Sequence, residues 1–153
     1  MVLFMPMPKK PRRRCLNCER ETKRAVEKYC DNYCQNEHKY TLYILSWLNG
    51  KVSGGKKSGT VSNHVRRFLI RNFGEKCSLC GWCEVNQYTG KIPLEVDHIN
   101  GDWQNNSPEN LRLLCPNCHS LTPTYKARNK GKGRSWRREL YAMSKQESVM
   151  LEE

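Results

Sequence analysis

Asp97-His98-Ile99-Asn100-Gly101, then Asn110, then Cys115-Pro116-Asn117-Cys118-His119: the three pieces follow in this order within one short stretch. They place a carboxylate beside an imidazole, an amide a loop further on, and a second imidazole against a Cys-x2-Cys knuckle. A second knuckle, Cys77-Ser78-Leu79-Cys80, lies upstream. A zinc ion held by Cys77, Cys80, Cys115 and Cys118 would staple both ends of the stretch together. Four thiolates leave no open coordination position, so such a site is structural. Cys83 repeats the knuckle spacing after Cys80, but Gly81 allows the tight turn of a Cys77/Cys80 knuckle. Cys83 is then the odd thiol, expected as a small buried apolar side chain. His119 itself is a further candidate ligand of that zinc.

Composition sets the frame. A chain of 153 residues, 37% hydrophobic, has room for one modest domain and a small module. Its mean hydropathy is -0.83. So thin a core calls for staples, and nine cysteines can supply them. No apolar run approaches the ~20 residues of a membrane span. Met1–Met5 is short for a signal peptide's apolar region, and no basic segment precedes it. The expected compartment is a reducing cytoplasm, where paired Cys-x2-Cys spacings indicate zinc rather than disulfides. Lys plus Arg number 27 against 15 Asp plus Glu, a net charge of +12. Two zinc ions on eight thiolates would lower this to about +8, still strongly basic. Nucleic acid is the partner such a charge suits.

Residues 1–14 read as a disordered basic arm, with Lys9, Lys10, Arg12, Arg13 and Arg14 among helix-denying prolines. It is either a solvated tail or a phosphate-gripping arm. Residues 15–49 read as a zinc module plus helix. Cys15-x2-Cys18 and Cys30-x3-Cys34 are separated by eleven residues, and His38 is a candidate replacement for Cys34. The helix, from Tyr33 to Leu48, carries Tyr40, Ile44 and Trp47 or Leu48 at helical spacing. Residues 50–59, rich in Gly, Ser and Lys, read as a flexible linker.

Residues 60–130 read as the second domain. A helix is expected over 61–73, with Thr60 as N-cap, an apolar stripe of Val61, Val65, Phe68, Leu69 and Phe73, and Gly74 as its stop. His64, Arg66, Arg67 and Arg71 fall on the other face. Residues 84–95 suggest a strand, a turn at Tyr88–Lys91, and a return strand through Pro93–Val96. Leu111–Leu114 is another strand, and Asn100–Asn110 between them is a polar loop. A helix should begin near Pro116, with Pro123 either breaking it or opening a second turn capped by Thr122. Residues 131–153 form a basic C-terminal tail, with a helix expected over 135–148. Seven basic and no acidic residues lie between Lys126 and Arg138, which nominates Lys126, Arg128, Lys130, Lys132 and Arg134 for the DNA backbone.

Asp97 and His98 end a strand, where adjacent side chains point to opposite faces. Both reach one site only if the chain bends, and Asn100-Gly101 offers the bend. Phosphodiester hydrolysis needs an activated water, a cation on the scissile phosphate, and stabilisation of the leaving oxygen. An imidazole suits the first task and a carboxylate suits a hard divalent cation. His98 thus reads as general base and Asp97 as metal ligand.

The ordered set of Asp97-His98, Asn110, Cys115-x2-Cys118 and His119 resembles HNH endonucleases of the ββα-metal type, as phages and mobile introns encode. The resemblance covers residues 65–130 and is strongest over 92–125. It implies a small zinc-stapled α+β fold, here a ββα-metal module preceded by a four-cysteine zinc module and helix. It gives His98 and Asp97 the roles just derived, makes His119 a ligand of catalytic Mg²⁺ or Mn²⁺, and assigns Asn110 to pinning the loop and holding His98. In some relatives an asparagine near this point touches the metal instead. Two structural Zn²⁺ complete the cofactors. DNA is the implied partner, with a homodimer as one route to double-strand cleavage, and a bacterial host's cytoplasm as the setting if the chain is phage-encoded. The competing reading is a zinc-containing DNA-binding regulator without catalysis. It explains charge and cysteines but not the order of Asp97, His98, Asn110 and His119. An RNA-binding zinc protein fits less well, because no strand platform of aromatics is evident.

Overall fold

The protein is described by a computed structural model over residues 10–56 and 59–129. Most of the basic arm, Lys130, Lys132, Arg134, the tail 131–153 and the helix expected over 135–148 lie outside these residues. The chain divides into two compact units between Ser46 and Trp47.

The first unit is a cysteine-centred turn followed by helix α1, Asn32–Leu48. The turn is closed by backbone bonds from Cys15 N to Arg20 O at 2.8 Å and Leu16 N to Lys28 O at 3.0 Å. Glu19 occupies the left-handed region at φ 60°. Thr22, 1% exposed, donates to the carbonyls of Arg13 and Arg24. Asp31 starts the helix by accepting from Cys34 N at 2.7 Å, which satisfies one orphan donor of the first turn. Tyr40 and Ile44 are buried as the spacing predicts, whereas Leu48 is exposed.

The second unit begins with Trp47, the buried member of that stripe. Gly54 is buried and pressed against the Trp47 indole: a Cβ there would lie 2.5 Å from Trp47 Nε1. Ser62 N bonds Gly54 O at 2.8 Å, and Gly55 bridges Val61. The stretch expected as linker 50–59 is therefore anchored to the domain at its centre, because Gly54 supplies both the left-handed backbone (φ 73°) and the close approach.

Helix α2 spans Asn63–Phe73. Its N-cap is Ser62 rather than Thr60, since the Ser62 side chain accepts from Val65 N. Val65 and Leu69 are fully buried, while Phe73, expected in the apolar stripe, is exposed at the last turn. Gly74 ends the helix as expected. Arg66 donates to Leu94 O at 2.8 Å, so it ties the helix to the chain entering the sheet. The expected hairpin over 84–95 reduces to a turn with the single bridge Asn86–Lys91. The strand proper is β1, Glu95–His98, antiparallel to β2, Leu111–Leu114, with Asp97 opposite Arg112 and His98 opposite Leu111. Helix α3, Pro116–Leu121, follows at once and packs on both strands, while α2 packs on β2. Leu94, Leu111, Leu113 and Leu114 join Val65 and Leu69 in the core. Two α+β-joined strands and a helix thus form the small scaffold that the site stands on. No described helix is long and apolar enough to cross a membrane.

Candidate active site and cysteine clusters

The four sulfurs of Cys15, Cys18, Cys30 and Cys34 lie within 4.8 Å of one another, as do those of Cys77, Cys80, Cys115 and Cys118. Both sets are the ones expected from spacing. The measured Sγ···Sγ distances include 3.6 Å for Cys18–Cys30, 3.4 Å for Cys30–Cys34 and 3.8 Å for Cys80–Cys115. Four ligands in a tetrahedron with metal–sulfur bonds of about 2.3 Å sit about 3.8 Å apart, so either cluster could hold a metal ion. Cys83 stands outside the second cluster and is exposed, not buried. His38 is likewise outside the first, its ring paired with Tyr29 at 5.6 Å.

The electrostatics of the sulfurs favour a cation. Burial pushes the Cys15 and Cys77 thiols up, but backbone N–H groups outweigh it and bring both down to about 6. Cys118 is pushed up to about 12, chiefly by sharing its proton with Cys80 and then Cys115. Cys30 is driven upward mainly by Cys34. Four crowded thiols cannot all ionise unaided, and a dication would supply the missing countercharge. In the first cluster Arg20 Nε also reaches Cys18 Sγ at 3.3 Å.

The second cluster aims the site. Gly81, at φ 76°, turns the first knuckle, and Ser78 N bonds Leu113 O at 2.8 Å, joining it to β2. Cys115 caps α3 by accepting from Cys118 N, and His119 follows on the fixed helix. A cleft of about 440 Å³ lies there, lined among others by Glu95, Asp97, His98, His119 and Lys126. Glu95 and Asp97 alternate onto one face of β1 and both reach His119. Its Nδ1 is 2.8 Å from Glu95 Oε2, and its Nε2 is 3.6 Å from Asp97 Oδ1. Arg112, opposite Asp97 in the register, donates from Nε to Asp97 Oδ2 at 2.8 Å. The buried carboxylate therefore keeps Oδ1 for the cleft.

The bend expected after His98 is present. Gly101 N returns to His98 O at 2.9 Å with φ 74° at Gly101, where a Cβ would meet Thr124 Cγ2 at 2.6 Å. Both Asp97 and His98 consequently line the cleft. Asn110 is buried and faces the loop instead: it donates to Asn105 O at 2.7 Å and Asn100 Oδ1 at 2.9 Å, and accepts from Asn100 N at 3.0 Å. The side-chain partner of His98 is Asn106, with Nε2 to Oδ1 at 2.9 Å. At the rim, Tyr125 packs edge-on against His119 with centroids 5.1 Å apart. Lys126 Nζ sits 4.9 Å over the Tyr125 ring, and Arg128 donates to Ser120 O.

Glu95, Asn106 and Arg112 are site residues that the sequence reading passed over. Glu95 was accessible from period-two alternation with Asp97. Arg112 required the strand register, and Asn106 is indistinguishable by type from the turn residues around it.

Residues 84–120 match the family model described as HNH endonuclease. The chain is also 42% identical over 73 residues to "H-N-H endonuclease F-TflIV" of Escherichia phage T5, an alignment covering 47% of this chain and 32% of that protein. It therefore spans about a third of that curated relative's length. No solved structure matches the chain significantly. Asp97, His98, Asn110 and His119 all fall inside the matched residues, so the part of the chain that carries the candidate site is the part that is similar to HNH endonucleases.

Proposed function

We propose that this chain is a metal-dependent HNH endonuclease hydrolysing DNA phosphodiester bonds. The observation that carries the reading is the convergence of Asp97, His98 and His119 on one cleft within the family segment. His98 is the general base. It takes a proton from water as the water oxygen bonds to phosphorus, the bond to the leaving oxygen breaks, and that oxygen acquires a proton from solvent. Asp97 Oδ1 and His119 Nε2 would hold Mg²⁺ or Mn²⁺. Their separation of 3.6 Å is near the roughly 3.0 Å between adjacent ligands of an octahedral ion with bonds of about 2.1 Å. A cation bound there supplies positive charge to the scissile phosphate and the leaving oxygen. Glu95 accepts from His119 Nδ1 and so turns Nε2 toward Asp97, the outer-shell arrangement that metal-ligating histidines favour. Asn110 serves by clasping the loop that follows His98. The two cysteine clusters hold structural Zn²⁺. Lys126, which lines the cleft, and the basic residues after it meet the DNA backbone.

Supercoiled plasmid incubated with the full chain and Mg²⁺ or Mn²⁺ tests this. Wild type should produce open circles first, since one site cuts one strand per engagement. His98→Ala should lose roughly 10²–10⁴ in rate while binding DNA and both zincs as before. Equal nicking by the two proteins in nuclease-free preparations would overturn the assignment. No nicking by wild type under any divalent metal would favour a non-catalytic zinc regulator.

A further inference from the structure

We propose that Asn106 is the positioning residue of His98: its side-chain carbonyl fixes the imidazole with the proton on Nε2 and leaves Nδ1 as the basic nitrogen. The inference rests on the general-base reading of His98 and adds the group that orients it. Asn106 is 7% exposed, and its Oδ1 lies 2.9 Å from His98 Nε2. Its amide can be oriented only one way. Nδ2 faces Gln104 O at 3.3 Å, so exchanging oxygen and nitrogen would set two carbonyl oxygens against each other. Oδ1 is an acceptor, so the Nε2 it faces must donate. A neutral imidazole then carries its lone pair on Nδ1. No other hydrogen bond engages the His98 ring among the described residues, and His98 lines the cleft.

Asn106 is itself held from behind. Trp47, 3% exposed, donates from Nε1 to Asn106 O at 2.8 Å. The indole is set edge-on against Phe68, with centroids 5.3 Å apart. Gly54 and Gly55 complete the seat. A Cβ on Gly54 would fall 3.3 Å from Asn106 Cβ, and one on Gly55 would fall 3.1 Å from Asn106 Nδ2. A polar residue in a loop is thereby fixed on three sides by packed groups. Asn110 cannot substitute, because its amide is spent on Asn100 and Asn105.

The test combines a spectroscopic and a kinetic measurement on the zinc-loaded full chain. In ¹⁵N-edited NMR at a pH where the ring is neutral, His98 should show the Nε2–H tautomer. Asn106→Leu, which removes the acceptor but keeps the bulk, should lose that single tautomer. Its single-turnover nicking of saturating plasmid with Mg²⁺ should slow about 10²-fold, the usual cost of a misaimed catalytic group. DNA affinity and zinc content should stay at wild-type values. Asn106→Asp, which retains an acceptor, should keep the tautomer and recover the rate to within about tenfold of wild type. If Asn106→Leu does not fold, the wild-type spectrum and Asn106→Asp still decide. An Nδ1–H tautomer in wild type would overturn the proposal, as would an unaltered rate and tautomer in a folded Asn106→Leu. Nicking that survives His98→Ala would instead overturn the general-base reading, leaving the tautomer result to stand separately.

Discussion

The two cysteine clusters share a ligand set and nearly the same sulfur geometry, yet they enclose different things. The first is drawn from residues 15–34, and the chain between its pairs carries no group of the cleft. The second joins residues 77–80 to 115–118, and nearly all of the candidate cleft lies on the chain between or just beyond its knuckles. Loop length hardly separates them energetically. The second closes about twice the length of the first, and a doubling adds only about 0.6 kcal/mol of closure entropy. The difference lies in what each staple positions: a turn before α1 in one case, and both ends of the β1–loop–β2–α3 run with His119 in the other.

The largest effect should come from breaking that second staple. Cys115→Ser removes a sulfur that is also the cap of α3, so one zinc should be lost and nicking should fall by at least 10³-fold, since His119 loses its frame. Cys18→Ser in the first cluster should also cost one zinc. Nicking by this variant at saturating DNA should remain within about tenfold of wild type. Elemental analysis of dialysed protein should give close to two zincs for wild type and one for each variant. Equal loss of activity in both would show that the first cluster supports the reaction as well, and the contrast would fail.

A smaller separation is expected inside the cleft. His119→Ala removes a proposed metal ligand and should abolish nicking at ordinary Mg²⁺, with partial return at high Mn²⁺. Glu95→Gln removes only the charge that accepts from His119 Nδ1. Loss of such a partner typically costs 10–100-fold in metal affinity or activity. Titrating Mg²⁺ against nicking rate should therefore shift the midpoint for Glu95→Gln with the maximal rate largely kept. A wild-type midpoint would show that the 2.8 Å contact contributes nothing to the site.

Legibility in the sequence followed the range of the interactions. The cysteine clusters were readable because tetrahedral thiolate coordination imposes short, repeated spacings. Helix α2 was readable from Val65 and Leu69, one turn apart and both buried, although its cap fell to Ser62 instead of Thr60. The corner at Asp97-His98 was readable because Gly101 announces the bend. The return strand was displaced: Pro93 removes a ladder donor, and pairing begins only at Glu95, with β2 rather than with the preceding turn. Arg112 depended on the register of two strands and Asn106 on a contact with Trp47, 59 positions away. Neither is encoded in a local pattern. The Gly-rich stretch 50–59 was misleading for the same reason, since Gly54 serves a close approach as well as a flexible turn.

The smallest effect concerns the basic side chains beside each region. Arg20, in the first unit, is committed to sulfur: Nε reaches Cys18 at 3.3 Å and Nη2 reaches Cys30 at 3.9 Å. Lys126 instead lines the cleft and Arg128 is exposed on the adjoining turn. If both meet phosphates, Lys126→Ala with Arg128→Ala should flatten the slope of log K against log salt by about 2, since each phosphate contact accounts for ~0.9 on duplex DNA. Arg20→Ala should leave the slope unchanged and should act instead on metal retention in the first cluster. The rate at saturating DNA should barely move in the double variant, because phosphate contacts of this kind fix register and affinity rather than the chemistry. Fluorescence anisotropy over a salt series measures both slopes. An unchanged slope in the double variant would assign Lys126 and Arg128 to the surface that packs Tyr125 against His119, and a flattened slope in Arg20→Ala would move the DNA contact to the first unit.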